Sequence, residues 1–333
     1  MTQHELPEDI LVLQQKLIDG SVIYNQDSVS VLFEFQSRYN HVYHEFLQGL
    51  KFDIKNPTIE EIPFLPISTF KNFEVKSGFW KALIVFKSSS ATGKGRSHHY
   101  VRDESLYQKV CKNIFENRFG PLQDMLILAL LPGYLERGDS SLVYMADHFM
   151  NQSGQLSKGF YLDHYEELSS VIEQNSDKEI ILLGVPFAFL KCMERIGSKD
   201  WSNVTIIETG GMKGQRKEMP RKELHQLIYE SLKPKVIHSE YGMTELLSQA
   251  YTGENGLFQP SASLKIFVRE LNDPFSPQKF GKPGVLNVFD LANIHTCSFI
   301  ETEDMAVDHN ETGFEVIGRV DNREIRGCNL LAG

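Results

Sequence analysis

Five short apolar runs constrain this chain more than any other feature: 82–86 (ALIVF), 125–131 (MLILALL), 179–184 (EIILLG), 203–208 (NVTIIE) and 235–238 (KVIH). None shows the alternation of a strand with one wet face, and helical segments lie between them. Strands apolar on both faces belong inside a largely parallel sheet covered by helices. The clearest connecting helix is 220–232, where Pro220 suits the first turn and Leu224, Leu227, Ile228 and Leu232 share one face. Another helix is expected over about 28–48. There Leu32, Phe35, Tyr39, Val42, Tyr43 and Phe46 recur at helical steps behind Asp27 as N-cap.

From about 262 the pattern changes. SLKIFVRE, GVLNVFDL, HTCSFIE and GFEVIGRV are separated by turn-rich pieces such as NDPFSPQKFGKPG, which reads as antiparallel strands. The expected fold is therefore α/β. A helical N-terminal region and an α/β nucleotide-binding core occupy 1–261, and a smaller β-rich subdomain occupies 262–333.

A net charge of −10 gives no basic footprint for nucleic acid or an anionic membrane, although a local loop can still be positive. Cys111, Cys192, Cys297 and Cys328 are too scattered for a zinc motif or a disulfide framework. The polar start MTQHELPEDI is not a secretory signal, and Pro132 and Gly133 interrupt the longest apolar run, so no membrane span is expected. The expected location is the cytoplasm.

Polar clusters follow several of the runs, where a parallel sheet presents the carboxyl ends of its strands to ligands. Ser88 to Lys94 (SSSATGK) follows LIVF, Glu208–Thr209–Gly210–Gly211 follows VTII, and Tyr241–Gly242–Met243–Thr244–Glu245 follows KVIHSE. A fourth, Glu301–Thr302–Glu303–Asp304, follows HTCSFI. Each alone reads as a turn or surface loop, and the first lacks the spacing of a Walker loop. YGMTE alone reads as a helix start capped by Thr244. His98 and His99 are sequential, so in a strand they point to opposite faces and do not make a metal site. His238 reads as a packing residue at a strand end, and Phe187 and Phe189 as helix packing or pocket lining.

Taken in order, SSSATGK, TGG, YGMTE, ETEDMA and GRVDNREIRG resemble the motifs of the acyl-adenylate-forming superfamily. IPFLPISTFKN, SSLVYM and IRGCNLL narrow the resemblance to LuxE-type acyl-protein synthetases and their phenylacetate–CoA ligase relatives. It covers roughly 60–333. The resemblance implies activation of a carboxylic acid, in this group a fatty acid, to acyl-AMP with ATP and Mg²⁺, then acyl transfer to a thiol. Ser88, Ser89, Thr92, Gly93 and Lys94 would grip the triphosphate, with Ser90 and Ala91 departing from the family's Gly and Thr. Thr244 would bond the α-phosphate and Glu245 would hold Mg²⁺. Gly210, Gly211 and Tyr241 would line the adenine pocket, with Tyr241 stacking on the base. Asp304 would accept from the ribose hydroxyls, Arg319 would contact ribose or phosphate, and Asp321 matches the hinge position. His148 falls near a residue that closes the acyl pocket in the family.

The chain stops twelve residues after Asp321, so the mobile C-terminal domain and its lysine are expected to be missing. Lys94 and Arg96 are then expected to carry more of the phosphate charge. Cys328, close to Arg323 and Arg326, matches the acceptor cysteine that hands the acyl group to an acyl reductase. An acyl carrier protein is the other partner the resemblance allows. Two further readings stand beside this one: an acyl-CoA ligase of the same fold, and a non-catalytic acyl-nucleotide-binding scaffold.

Overall fold

The computed structural model describes residues 6–89, 95–132, 138–154, 159–210 and 219–320. Three helices open it, Glu8–Asp19, Gln26–Tyr39 and His41–Gly49. The single helix expected from 28 to 48 is two, because Asn40 leaves the helical region and caps the second with its side chain, accepting from the Tyr43 N–H at 3.0 Å. The first of the pair is capped by Asn25, not Asp27: Asn25 and Ser28 bond each other's backbone in a capping box.

Strands follow as β1 (Leu65–Pro66), β2 (Ile84–Lys87), β3 (His98–Val101), β4 (Leu126–Leu130) and β5 (Gly159–Phe160). Next come β6 (Ile180–Gly184), β7 (Val204–Thr209), β8 (Val236–Tyr241), β9 (Ala250–Thr252) and β10 (Phe258–Pro260). The last are β11 (Leu264–Glu270), β12 (Asp273–Pro277), β13 (Pro283–Asp290), β14 (Phe299–Asp308) and β15 (Phe314–Arg319). One large sheet runs β12-β11-β13-β14-β15-β10-β9-β8-β7-β6-β4-β5, with β1 beside β14.

From β5 to β8 every pairing is parallel, and from β8 to β12 every pairing is antiparallel. Four of the five apolar runs are the parallel strands β4, β6, β7 and β8. Every residue of β4, β6 and β7 is buried, as strands without polar alternation require. The fifth run is different. Ile84–Lys87 leaves the sheet and forms a separate antiparallel hairpin with His98–Val101, so ALIVF carries only one deeply buried side chain in its strand, Phe86.

Helix Arg221–Leu232 has Pro220 just before it and buries Leu224, Ile228 and Leu232. Leu227 is on the rim, 38% exposed, because an apolar position one step from the stripe rotates toward solvent. Helix Pro186–Ile196 starts on a proline, whose missing N–H costs nothing there, and presses Phe189 against Gly184 at the end of β6. A Cβ on Gly184 would meet that ring at 2.7 Å, so Phe189 is a packing residue. The strands of the later region are antiparallel as read. Among the described residues no helix is long and apolar enough to cross a membrane.

Candidate active site

The motifs converge where the sheet changes from parallel to antiparallel. β7 and β8 end side by side, and β8 pairs Tyr241 with Ala250 of the antiparallel β9. Gly210 leaves β7 with φ +77°, a left-handed turn that favours glycine. Gly242 leaves β8 for a second reason: a Cβ there would lie 2.2 Å from the buried Glu240 carboxylate, which accepts a bond from Thr209. The turn that follows carries Thr244 and Glu245, and it opens no helix.

Tyr241 and Asp304 meet across the sheet. The phenol donates to Asp304 Oδ2 at 2.8 Å, and its ring packs against Phe258 and Phe314 at 5.8 Å each. Burial and the adjoining carboxylate raise the phenol's pKa well above its ordinary range, so it stays a donor. Burial also raises Asp304, with Arg319 pulling the other way. β14 and β15 pair Asp304 with Arg319, whose Nε stands 3.4 Å from Oδ1 with the side chain 77% exposed. Asp304 thus holds one fixed partner and one movable partner.

Glu245 is 6% exposed, and burial raises its pKa. Three things oppose the rise: the nearby Ser97 hydroxyl, its own backbone N–H, and the charges of Lys71 and Arg319. Arg319 therefore acts on both carboxylates, which places YGMTE, ETEDMA and GRV in one electrostatic neighbourhood. The Glu245 carbonyl accepts from Asn293 Nδ2 at 2.9 Å. Just beyond, the buried Asp290 accepts from the N–H groups of Leu247 and Ser248 at 2.8 and 3.0 Å and from the Ser248 hydroxyl at 2.6 Å.

Ser88 and Ser97 close the β2–β3 hairpin, and the Ser88 hydroxyl accepts the Ser97 N–H at 2.9 Å. Ser89 is exposed. Arg96 is not a free cation: Nε donates to Ser88 O at 2.6 Å and Nη1 pairs with Asp139 at 2.8 Å. Thr92, Gly93, Lys94, Gly211, Asp321 and Cys328 lie outside the described residues. His148 is half-buried on helix Ser141–Gln152, where the charges of Lys112 and Lys109 lower its pKa beside the larger effect of burial. His238 donates from Nδ1 to Thr252 O at 2.9 Å and packs on Phe119, as a strand-end residue should.

Sequence reasoning missed Ser97, His99, Lys71, Asn293 and Asp290. Apart from Lys71, only a tertiary contact marks them. ISTFKN, which carries Lys71, was the one signal available.

No three His, Cys, Asp or Glu side chains gather as a metal cage among the described residues. The single carboxylate of Glu245 fits Mg²⁺, which takes one or two carboxylates together with substrate phosphates and water.

This is the fold of adenylate-forming ligases. A crystal structure of 2-hydroxyisobutyryl-CoA ligase, in an open conformation with its acyl-AMP and CoA, matches with TM-score 0.66 and 10% identity. The match covers 89% of this chain and 69% of that one. A long-chain-fatty-acid–CoA ligase from Archaeoglobus fulgidus matches with TM-score 0.55 and 15% identity, over 74% of this chain and 53% of that one. The family of acyl-protein synthetases, LuxE, matches residues 141–332, and the chain belongs to it. A long-chain-fatty-acid–luciferin-component ligase of Aliivibrio fischeri is 22% identical over 326 residues, 90% of this chain and 85% of that protein.

Proposed function

We propose that this chain uses ATP to convert a long-chain fatty acid to its acyl-adenylate and then passes the acyl group to a protein thiol. The observation that carries the reading is the convergence of Thr244, Glu245, Asp304 and Arg319 at one junction of the sheet, in a chain of the acyl-protein synthetase family.

The chemistry sets the demands. A carboxylate must approach an anionic α-phosphate, so the site must neutralise charge and hold the two in line. The Thr244 hydroxyl donates to the α-phosphate. Asp304, already oriented by Tyr241, accepts from the ribose hydroxyls, and Arg319 is free to swing onto ribose or phosphate. Gly210 and Gly211 are assigned to the adenine pocket, with Tyr241 as its wall. Ser88, Ser89, Thr92, Gly93 and Lys94 are assigned to the β- and γ-phosphates. Glu245 is the residue that would hold Mg²⁺, which when bound supplies positive charge to the phosphates.

Cys111, Cys192 and Cys297 are wholly buried, and burial raises each thiol's pKa, which removes the thiolate that attacks an acyl-adenylate. Cys328 is the remaining cysteine of the chain and the proposed acceptor. Its sulfur would form the thioester as the carbonyl–phosphate bond breaks and AMP leaves with that oxygen, the thiol proton passing to solvent. An acyl reductase of the cytoplasm is the proposed recipient.

Labelled fatty acid, ATP and Mg²⁺ should acylate the chain in a form that hydroxylamine removes. Cys328→Ala should abolish that label while leaving pyrophosphate exchange intact. Label surviving in the variant rules out Cys328, and transfer that requires added CoA identifies a CoA ligase instead.

A further inference from the structure

Two inward side chains at the start of β3 reach the Thr244–Glu245 turn. Ser97 is 1% exposed, and its backbone pairs with Ser88 in both directions, at 3.1 Å to its carbonyl and 2.9 Å from its N–H. Its hydroxyl stands close enough to the Glu245 carboxylate to oppose the rise in that group's pKa. His99, two residues on and therefore on the same face, has no exposed surface. Its Nδ1 lies 2.7 Å from the Thr244 carbonyl oxygen and its Nε2 lies 3.2 Å from Thr296 Oγ1. A carbonyl only accepts, so the proton is on Nδ1 and Nε2 accepts from the Thr296 hydroxyl. Burial keeps the ring neutral, with its pKa lowered to about 4, and Phe70 closes over it at 6.0 Å.

The far anchor is itself fixed. The Thr296 carbonyl accepts from Asn40 Nδ2 at 2.8 Å and from Ser77 Oγ at 2.5 Å. Gln36, also fully buried, donates to Asn293 O at 2.9 Å and accepts from the Ser298 N–H at 2.8 Å. One imidazole therefore ties three pieces together: the hairpin, the loop after β13 and the turn after β8. Apolar packing alone would be satisfied by leucine. Two directional bonds into backbone and hydroxyl specify position as well as contact.

We propose that His99 is a positioning residue for adenylation, holding the Thr244 hydroxyl and the Glu245 carboxylate in a fixed place against the hairpin through its bond to the Thr244 carbonyl. The inference rests on the assignment of Thr244 and Glu245 to the nucleotide phosphates. A group that moves by about 1 Å loses on the order of 100-fold in rate, so the effect belongs in kcat.

The test is ATP–pyrophosphate exchange with the saturated fatty acid on which the unmodified chain works fastest, alongside circular dichroism and thermal melting. His99→Leu removes both bonds and should lower kcat about 100-fold with the KM for ATP within about threefold. His99→Asn keeps an amide donor where Nδ1 stands and should recover to within about tenfold of the unmodified chain. Should His99→Leu fail to fold, Thr296→Val removes only the hydroxyl that holds Nε2, and it should lower kcat about tenfold with melting little changed.

A His99→Leu chain that folds and exchanges within about threefold of the unmodified chain overturns the proposal. So does His99→Asn no better than His99→Leu, or a Thr296→Val chain with unchanged kcat. Exchange unaffected by Thr244→Val strikes the assignment of Thr244 instead, and the role of His99 falls with it.

Discussion

Thr244 and Glu245 sit on a turn held from two sides, whereas Asp304 and Arg319 face each other across the ends of two strands with the guanidinium in solvent. On the first side His99 and Asn293 bond the Thr244 and Glu245 carbonyls, the Ser97 hydroxyl lies near the Glu245 carboxylate, and Asp290 anchors Leu247 and Ser248 just beyond. On the second, Tyr241 fixes only the carboxylate, and Arg319 keeps a loose 3.4 Å contact at 77% exposure. The difference suits the two jobs proposed for them. A group that meets charge developing in the transition state must already be in place, because moving it then adds to the barrier. A group that binds ribose can finish its site as the nucleotide arrives. The braced wall should therefore govern kcat and the open wall should govern nucleotide affinity.

The largest effect expected is on the braced wall. Thr244→Val should cost 100- to 1,000-fold in exchange kcat, roughly the loss seen when one preorganised donor is removed. Asp304→Asn should instead raise the KM for ATP by about 10- to 100-fold, the range for a hydrogen bond to a charged group, with a smaller fall in kcat. Steady-state exchange kinetics on the pair separate the two walls. The same kcat and KM pattern in both variants would erase the distinction.

A smaller effect is expected on stability. His99 and His295 both have pKa values lowered to about 4 by burial. Between about pH 4 and 6.5 the unfolded chain binds protons that the folded chain refuses, so stability falls as pH drops through that window. Below it both states are protonated and the loss stops growing. Each histidine accounts for a loss on the order of 3 kcal/mol across the window. Glu245, Asp290 and Asp304, whose pKa values burial raises, act in the opposite direction, since the folded state holds their protons longer. Urea unfolding of the unmodified chain and of His99→Asn at several pH values isolates the His99 part. The variant should show the shallower fall between pH 6.5 and 4, and identical slopes would contradict a neutral, buried His99.

Much of the architecture was legible because its rules are local. Continuous apolar runs declared β4, β6, β7 and β8, and turn-rich spacing declared the antiparallel strands after 262. ALIVF misled because an apolar run does not say which sheet it joins; here its strand pairs with the segment beyond the Ser/Thr/Gly loop. Asn40 split a helix because side-chain capping offered the backbone a competing partner that periodicity does not register. At the candidate site, Gly210, Gly242, Thr244, Glu245 and Asp304 stand in ordered motifs. Ser97 and His99 do not. Their roles depend on a hairpin lying against a turn nearly 150 residues later, a contact with no spacing to recognise.

The most direct test of the whole account is fatty-acid-dependent exchange of labelled pyrophosphate into ATP by the purified chain, with Mg²⁺ and no CoA. The account predicts exchange that starts only when a long-chain acid is added and that Thr244→Val nearly abolishes. A chain that binds ATP yet exchanges nothing with any acid would contradict it.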